Sequence, residues 1–121
     1  MDIEGIDWQA AGAALGEQGW ATLPRLLDPS ECLGTADSWH AEHGFRSRVV
    51  MARHGFGQGE YRYFAHDLPE RVASLRAALY PRLADVANRW QLALGLPERF
   101  PESHPAYLDL CLAAGQARPT P

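Results

Sequence analysis

The sequence predicts a helix-dominated α+β domain, with four to five helices around one β-hairpin and room for one further short strand. Three patterns lead to this prediction. Apolar residues recur at helical spacing between residues 70 and 94. Asp28-Pro29-Ser30-Glu31 combines a capping acceptor, a first-turn proline and a capping-box glutamate. Two β-rich runs flank a glycine-rich stretch near residue 56. At 121 residues the chain has the length of a single domain, taken here as residues 1–121.

The first forty-four residues predict two helices and a short strand. The first helix is expected over residues 7–19, because Asp7 can cap its start and Gly19 suits a left-handed end. Residues 20–23 favour a short strand, ended by Pro24. The second helix is expected to run from Asp28 to about residue 42 and to close near Gly44, with Cys32 on its buried side.

The middle of the chain predicts the hairpin. Residues 45–53 contain β-branched residues between arginines, and residues 61–64 form the returning strand. Residues 54–59 predict a long flexible tip. Gly55, Gly57 and Gly59 lack the spacing of a dinucleotide fingerprint. A plain turn is favoured over a loop whose backbone N–H groups contact a ligand.

The last third predicts helices. One is expected to start near Pro69 with Asp67 as its cap. A break or kink is expected near Tyr80 because of Pro81, with a fresh helix to Leu94 before Gly95. Its buried stripe would be Val72, Leu75, Leu79, Leu83, Val86 and Trp90. A final helix is expected over residues 104–113, with residues 118–121 extended.

Composition excludes several kinds of site. All 11 basic residues are arginine, so a phosphate-binding loop lysine and Schiff-base catalysis on lysine are both excluded. Two cysteines without a Cys-x-x-Cys pair exclude a zinc ribbon or a disulfide framework. Short apolar runs and an acidic start predict neither a membrane span nor a signal peptide, and a cytoplasmic location is expected.

Charge is divided unevenly along the chain. Residues 1–42 hold eight acidic residues and one arginine, whereas residues 43–99 hold nine arginines and five acidic residues. Attraction between the two sectors is the favoured interpretation, and an arginine cluster facing an anionic ligand is the alternative. The net charge of −4 argues against nucleic-acid binding through bulk charge.

The histidines do not predict a metal or catalytic centre. On a helix, His40 and His43 would share a face beside Glu42, and His66 or His104 would have to supply a third ligand. A solvated helix end is the favoured interpretation. His54 and the His66-Asp67 pair could form a base with an orienting carboxylate, but nothing in the sequence fixes their approach. No catalytic and no metal-ligating residue is assigned.

Several long segments resemble one bacterial family. They are residues 45–61 (FRSRVVMARHGFGQGEY), 77–83 (AALYPRL), 87–90 (ANRW) and 114–121 (AGQARPTP). The chain is similar to a branch of the 2-oxoglutarate/Fe(II)-dependent oxygenases labelled as oxidative demethylases of damaged DNA. The family's iron is held by His-x-Asp and a distant histidine on a double-stranded β-helix, and this chain contains no His-x-Asp.

The resemblance therefore implies the N-terminal half of an oxygenase, with most of the barrel outside these residues. Fe(II) and 2-oxoglutarate are expected for the full-length family and not in this chain, which is expected to be inactive alone. Its partner would be the missing C-terminal half or another protein surface. Arg46, Arg48, Arg53 and Tyr61 are the candidate residues for an anionic or nucleic-acid substrate. A small non-catalytic binding or interaction module is the alternative.

Overall fold

Four α-helices and one antiparallel hairpin make up residues 3–116, the part of the chain that this computed structural model describes. In chain order they are α1 (Trp8–Gln18), α2 (Pro29–Asp37), β1 (Phe45–Val50), β2 (Glu60–Phe64), α3 (Glu70–Ala93) and α4 (His104–Ala113). Two 3-10 turns follow α2 and β1, at Ser38–His40 and Met51–His54. The predicted α+β class is confirmed.

Local capping interactions set both ends of α1 and the start of α2 as predicted. The Asp7 carboxylate accepts the Ala10 N–H at 2.9 Å, and Gly19 ends α1 with φ of 80°. Asp28 Oδ1 accepts the Glu31 N–H at 2.8 Å, and Glu31 Oε2 accepts the Asp28 N–H at 3.0 Å. This reciprocal pair is the predicted capping box, in which each carboxylate satisfies one free N–H at the helix start.

Three predictions for the first part of the chain are wrong. Residues 20–23 form no strand, because β1 and β2 pair only with each other in the described residues and leave this segment without a partner. The second helix stops at Asp37, well before residue 42. There Ser38 Oγ donates to the Thr35 carbonyl at 2.6 Å, and a serine hydroxyl that bonds backward competes with helix propagation. Cys32 is exposed and not in a core.

The hairpin is shorter and less regular than predicted. β1 ends at Val50, three residues early, because the chain turns into the 3-10 segment Met51–His54. Phe45 pairs with Phe64, and their rings stack at 5.2 Å. The next pair is Ser47 with Tyr63, so a bulge accommodates Arg46. Pairing then continues to Val50 opposite Glu60.

α3 runs unbroken through Pro81, so the predicted break near Tyr80 is wrong. Contacts on both sides of the proline hold the helix together. Before it, Tyr80 packs against Tyr107 of α4, and after it, Arg82 lies over Trp8 of α1. The start also differs, since Pro69 precedes α3 with no side-chain cap and Asp67 does not cap it.

The end of the chain follows the predictions where the structure describes it. α3 ends next to Gly95, which has φ of 68°, and α4 has its predicted bounds with Ser103 as cap. The Ser103 hydroxyl accepts the Ala106 N–H at 3.4 Å. The predicted extended segment 118–121 lies outside the described residues.

The apolar core is very small. Among the described residues, the buried hydrophobic side chains are Ala11, Ala84 and Val86, where α1 meets α3. In the predicted stripe, Leu83 and Trp90 are 45% and 44% exposed. The accessible surface is 9260 Å², against about 6,500 Å² for a typical folded monomer of 13.4 kDa. Much apolar surface therefore lacks cover.

No helix within residues 3–116 combines the length and apolar character needed to cross a membrane.

Replacement of Asn88 by alanine is expected to destabilise the joint between α3 and the loop before α4. Asn88 Nδ2 donates to the Phe100 carbonyl at 2.9 Å, and the Phe100 N–H donates to Asn88 Oδ1 at 2.8 Å. Losing both bonds leaves a part-buried peptide group unpaired, so urea titration should show unfolding free energy about 1–3 kcal/mol lower. Asn88→Asp keeps the acceptor and should lose less. Equal stability of Asn88→Ala and wild type would contradict this.

Candidate functional site

A groove of about 310 Å³ lies between the 3-10 turn after α2 and the base of the hairpin. We call it the hairpin groove. Its lining combines three arginines with one histidine, one carboxylate and one aromatic ring: Arg46, Arg48, Arg62, His40, Glu42 and Phe45, with Ala41 and Ser47 completing the wall. Positive groups outnumber negative ones, so the groove suits an anionic ligand.

Arg62 fixes the groove by joining β2 to the 3-10 turn. Its Nη1 donates to the Trp39 carbonyl at 2.6 Å and to the Ala41 carbonyl at 3.3 Å. Its Cζ lies 5.0 Å from the centre of the Trp39 ring and 5.3 Å from that of Phe45. A planar guanidinium can stack and donate at once, which a lysine ammonium cannot do as well.

One N–H donor of Arg62 is left unpaired. Its Nε is buried and has no hydrogen-bond partner among the described residues. A buried donor without an acceptor costs about 1–3 kcal/mol, and more when charged.

Arg48 is held by an ion pair along the hairpin. It lies opposite Arg62 in the strand register, and its Nη2 donates to Glu60 Oε1 at 2.8 Å, with a second contact between Nε and Oε2. The hydrogen bond from Arg48 lowers the pKa of the Glu60 carboxyl, and the same contact raises the pKa of Arg48. Glu60 thus neutralises part of the positive charge at this end of the groove.

Arg46 takes a different direction from Arg48 because of the bulge. An unbroken strand would have placed both on one face. The Cζ of Arg46 instead lies 5.3 Å from the centre of the Tyr63 ring, and Tyr63 neighbours Arg62 in β2. Successive residues of a strand point to opposite faces. Arg46 therefore lines the groove while its guanidinium lies beside Tyr63, a neighbour of Arg62 in β2.

The four candidate substrate residues do not all meet. Arg46 and Arg48 line the groove, whereas Arg53 lies in the 3-10 turn at the far end of β1 and Tyr61 pairs with Val49 in mid-hairpin. Sequence reasoning missed Arg62, which lines the groove and lies beside the Trp39 ring. The available signal was an arginine within an aromatic strand, Tyr61-Arg62-Tyr63-Phe64, where cation–π contacts are favoured.

The metal-ligand alternative fails on geometry. His40 lies in a 3-10 turn and His43 beyond it, so the two do not share an α-helical face. Within residues 3–116, no three His, Cys, Asp or Glu side chains come together in a way that could hold a metal ion. The residues present there do not fit the facial triad of a ferrous oxygenase centre.

A second cluster of polar groups lies between α3 and α4, away from the groove. His104 meets the Tyr80 ring edge-on at 5.4 Å, and burial lowers the pKa of His104. Burial likewise raises the pKa of Tyr80, whose hydroxyl has no hydrogen-bond partner within residues 3–116. A hydrogen bond with Cys111 raises the pKa of Tyr107. These contacts join the two helices.

Comparison with known proteins finds an oxygenase family. The family described as "Oxygenase, catalysing oxidative methylation of damaged DNA" matches residues 59–121, about half of the chain. Two uncharacterized proteins, from two strains of Mycobacterium tuberculosis, are each 39% identical to it over 57 residues. That stretch is 47% of this chain and 24% of each relative, so the match spans about a quarter of the relatives' length. No solved structure matches the chain.

Replacement of Arg48 by glutamine should return the pKa of Glu60 toward its ordinary value. With Arg48 present, the pKa of Glu60 is lower in the folded chain than in the unfolded chain. The ion pair therefore stabilises the hairpin at pH values above the unfolded pKa, and this stabilisation is lost as the pH falls through the lowered pKa. An NMR titration of the Glu60 carboxyl carbon measures the change. Arg53→Gln removes equal charge outside the pair and serves as the control. An unchanged Glu60 titration in Arg48→Gln would contradict the assignment.

Proposed function

The chain belongs to the family of oxygenases described as acting in oxidative methylation of damaged DNA, and from this membership we propose that it is the N-terminal scaffold and substrate-side portion of a 2-oxoglutarate/Fe(II)-dependent dioxygenase. In this role the hairpin groove holds an anionic part of the substrate. The helices support the remainder of a double-stranded β-helix. The iron and 2-oxoglutarate belong to residues outside 3–116, and the chain alone is inactive.

The surface of α4 supports the scaffold role. Tyr107 and Cys111 contact each other, and Tyr107 packs against α3, yet Leu108, Leu110 and Leu112 remain 45–61% exposed. A helix that is apolar on all sides is ordinarily buried on all sides. We infer that further strands of the same domain cover this surface.

The end of α3 adds to the same uncovered surface. Leu92 and Leu94 are 68% and 72% exposed, and Leu96 in the following loop is 42% exposed. The curated relatives have about three quarters of their length outside the matched stretch, which is ample chain for such cover.

The groove chemistry supports an anionic substrate, with nucleic acid as the candidate that the family description suggests. Guanidinium groups match phosphate oxygens in geometry and charge. Trp39 is 38% exposed beside Arg62, so an aromatic surface accompanies the cations. Of the three groove arginines, Arg48 is paired with Glu60 and Arg62 is tied to the turn. Arg46, at the bulge, has its guanidinium beside the Tyr63 ring.

A small non-catalytic binding module is the second candidate. The observation that favours it is that no three side chains within residues 3–116 are grouped so that they could bind a metal ion. The two candidates differ in what the apolar surface of α4 does. A scaffold needs that surface for further strands, whereas a self-contained module would have to remain soluble with it exposed.

Arg46→Gln should weaken binding of the chain to a fluorescein-labelled 20-base-pair DNA duplex. Anisotropy measured from 20 to 200 mM NaCl should show lower affinity and a salt slope reduced by about 1, as expected when one phosphate contact is lost. Arg99→Gln is the matched control, because Arg99 bonds the carbonyls of its own loop at Leu96 and Glu98. Equal losses in both variants would assign the effect to net charge and would exclude the groove.

The isolated chain should bind a hydrophobic dye such as anilinonaphthalene sulfonate while keeping its helical circular dichroism. Replacement of Leu108 and Leu112 together by glutamine, a good helix former, should reduce the dye signal and leave the helix content unchanged. Leu33→Gln, at an equally exposed leucine of α2, should change the signal little. A monomeric, cooperatively folded chain without dye binding would favour the module.

A further inference from the structure

Two arginines face each other across the hairpin. Arg48 of β1 pairs directly with Arg62 of β2 in the strand register, and both line the hairpin groove. Side chains directly opposite on neighbouring strands lie on the same face, and like charges in this arrangement destabilise the pairing. An oxyanion placed between the two guanidinium groups would remove this repulsion and accept hydrogen bonds from both.

The two arginines differ in how firmly they are held. Arg62 donates to the carbonyls of Trp39 and Ala41 and lies beside the Trp39 ring, so its guanidinium is fixed to the turn after α2. The side chain of Arg48 is 54% exposed, and its ion-pair partner Glu60 is 32% exposed. An ion pair as exposed as this one is weak and is readily exchanged for another partner. Arg48 is therefore the arginine that can change partners.

Glu60 occupies the position of a ligand on Arg48. Its two carboxylate oxygens contact Nε and Nη2 of Arg48, which is the edge of a guanidinium that also receives phosphate oxygens. Glu60 pairs with Val50, two positions from Arg62 in β2, and so it shares the face of the two arginines. Within residues 3–116, the wall of the groove includes both arginines but not Glu60. The carboxylate thus holds Arg48 toward the end of the groove.

We propose that Arg48 and Arg62 clamp one phosphoryl group of the ligand, and that Glu60 is an internal competitor which this group displaces from Arg48. A carboxylate has two oxygens, and one guanidinium engages both, whereas a phosphoryl group has enough oxygens to reach both strands. Weakly bound anions should fail to displace Glu60, because a competitor on the same chain has a high effective concentration. The inference rests on the anionic substrate proposed for the groove and assigns the residue that limits its binding.

The test follows the arginine Nε–H signals and the Glu60 carboxyl carbon of the 121-residue chain by NMR, at pH 6.5 and constant ionic strength. Two probes are titrated separately: methyl phosphate represents a terminal phosphate, and dimethyl phosphate represents a backbone phosphodiester. In wild type the Arg48 and Glu60 signals should shift together with one dissociation constant, because the carboxylate leaves as the phosphoryl group arrives. A response to either probe supports the clamp, and the stronger response identifies the source of the phosphoryl group.

Three variants complete the test. Glu60→Gln removes the competing charge and should bind the probe about two- to fivefold more tightly, the factor expected when one exposed ion pair no longer has to be broken. Glu42→Gln removes an equal charge from the wall of the groove and should gain less. In an Arg48→Gln background the gain from Glu60→Gln should disappear, because the competitor then has no guanidinium to occupy. Circular dichroism checks that each variant folds, and the joint shift in wild type needs no variant.

Each other outcome counts against the proposal. If the Arg48 signal shifts while that of Glu60 does not, or if Glu60→Gln binds no more tightly than wild type, Glu60 is no competitor and the anionic role of the groove stands. If Glu60→Gln and Glu42→Gln gain equally, or if the gain survives Arg48→Gln, the effect is one of net charge and the displacement is wrong. If neither probe shifts the arginine signals of wild type or Glu60→Gln, the proposed anionic role of the groove fails together with the clamp.

Discussion

Guanidinium groups, in place of a large apolar core, hold the elements of this chain to one another. Three arginines make these contacts: Arg62 to the carbonyls of Trp39 and Ala41, Arg71 to the Glu31 carbonyl and Thr35 hydroxyl, and Arg82 over the Trp8 ring. Each joins a residue of the arginine-rich middle to the acidic first third. Carbonyl oxygens and aromatic rings are partners of these arginines at least as much as carboxylates are. The ion pair between Arg71 and Glu31 is long, with an N···O distance of 3.9 Å. The chain has arginine and no lysine, and the planar guanidinium group of arginine can both donate hydrogen bonds to carbonyl oxygens and stack on aromatic rings.

This way of joining elements makes the hairpin dependent on its surroundings. An isolated two-stranded hairpin is marginally stable at best in water. Here its base is secured by the Phe45–Phe64 stack and by Arg62, which spans from β2 to the turn after α2. The groove exists because of that same contact. Arg62 therefore both shapes the candidate site and attaches the hairpin to the turn after α2.

The sequence predicts well those structural features that depend on neighbours within about four residues along the chain. The capping box at Asp28, the left-handed glycines at positions 19 and 95, and the bounds of α4 all belong to this class. Predictions failed where distant residues decide. Residues 20–23 lack a partner strand, and α3 continues through Pro81 because neighbouring helices pack on both sides of it. In the candidate site, the arginines of β1 were identifiable, but the bulge that separates Arg46 from Arg48 has no glycine to mark it, and Arg62 meets Trp39 across 23 positions.

The two surfaces that support the proposed function use different residues. The uncovered leucines belong to the end of α3 and to α4, whereas the groove belongs to the hairpin and the preceding turn. The family match, residues 59–121, contains the leucine surface and Arg62 but neither Arg46 nor Arg48. The part shared with the family is therefore the part suited to carry a larger domain and to fix the groove. The arginines of β1 lie outside the matched residues.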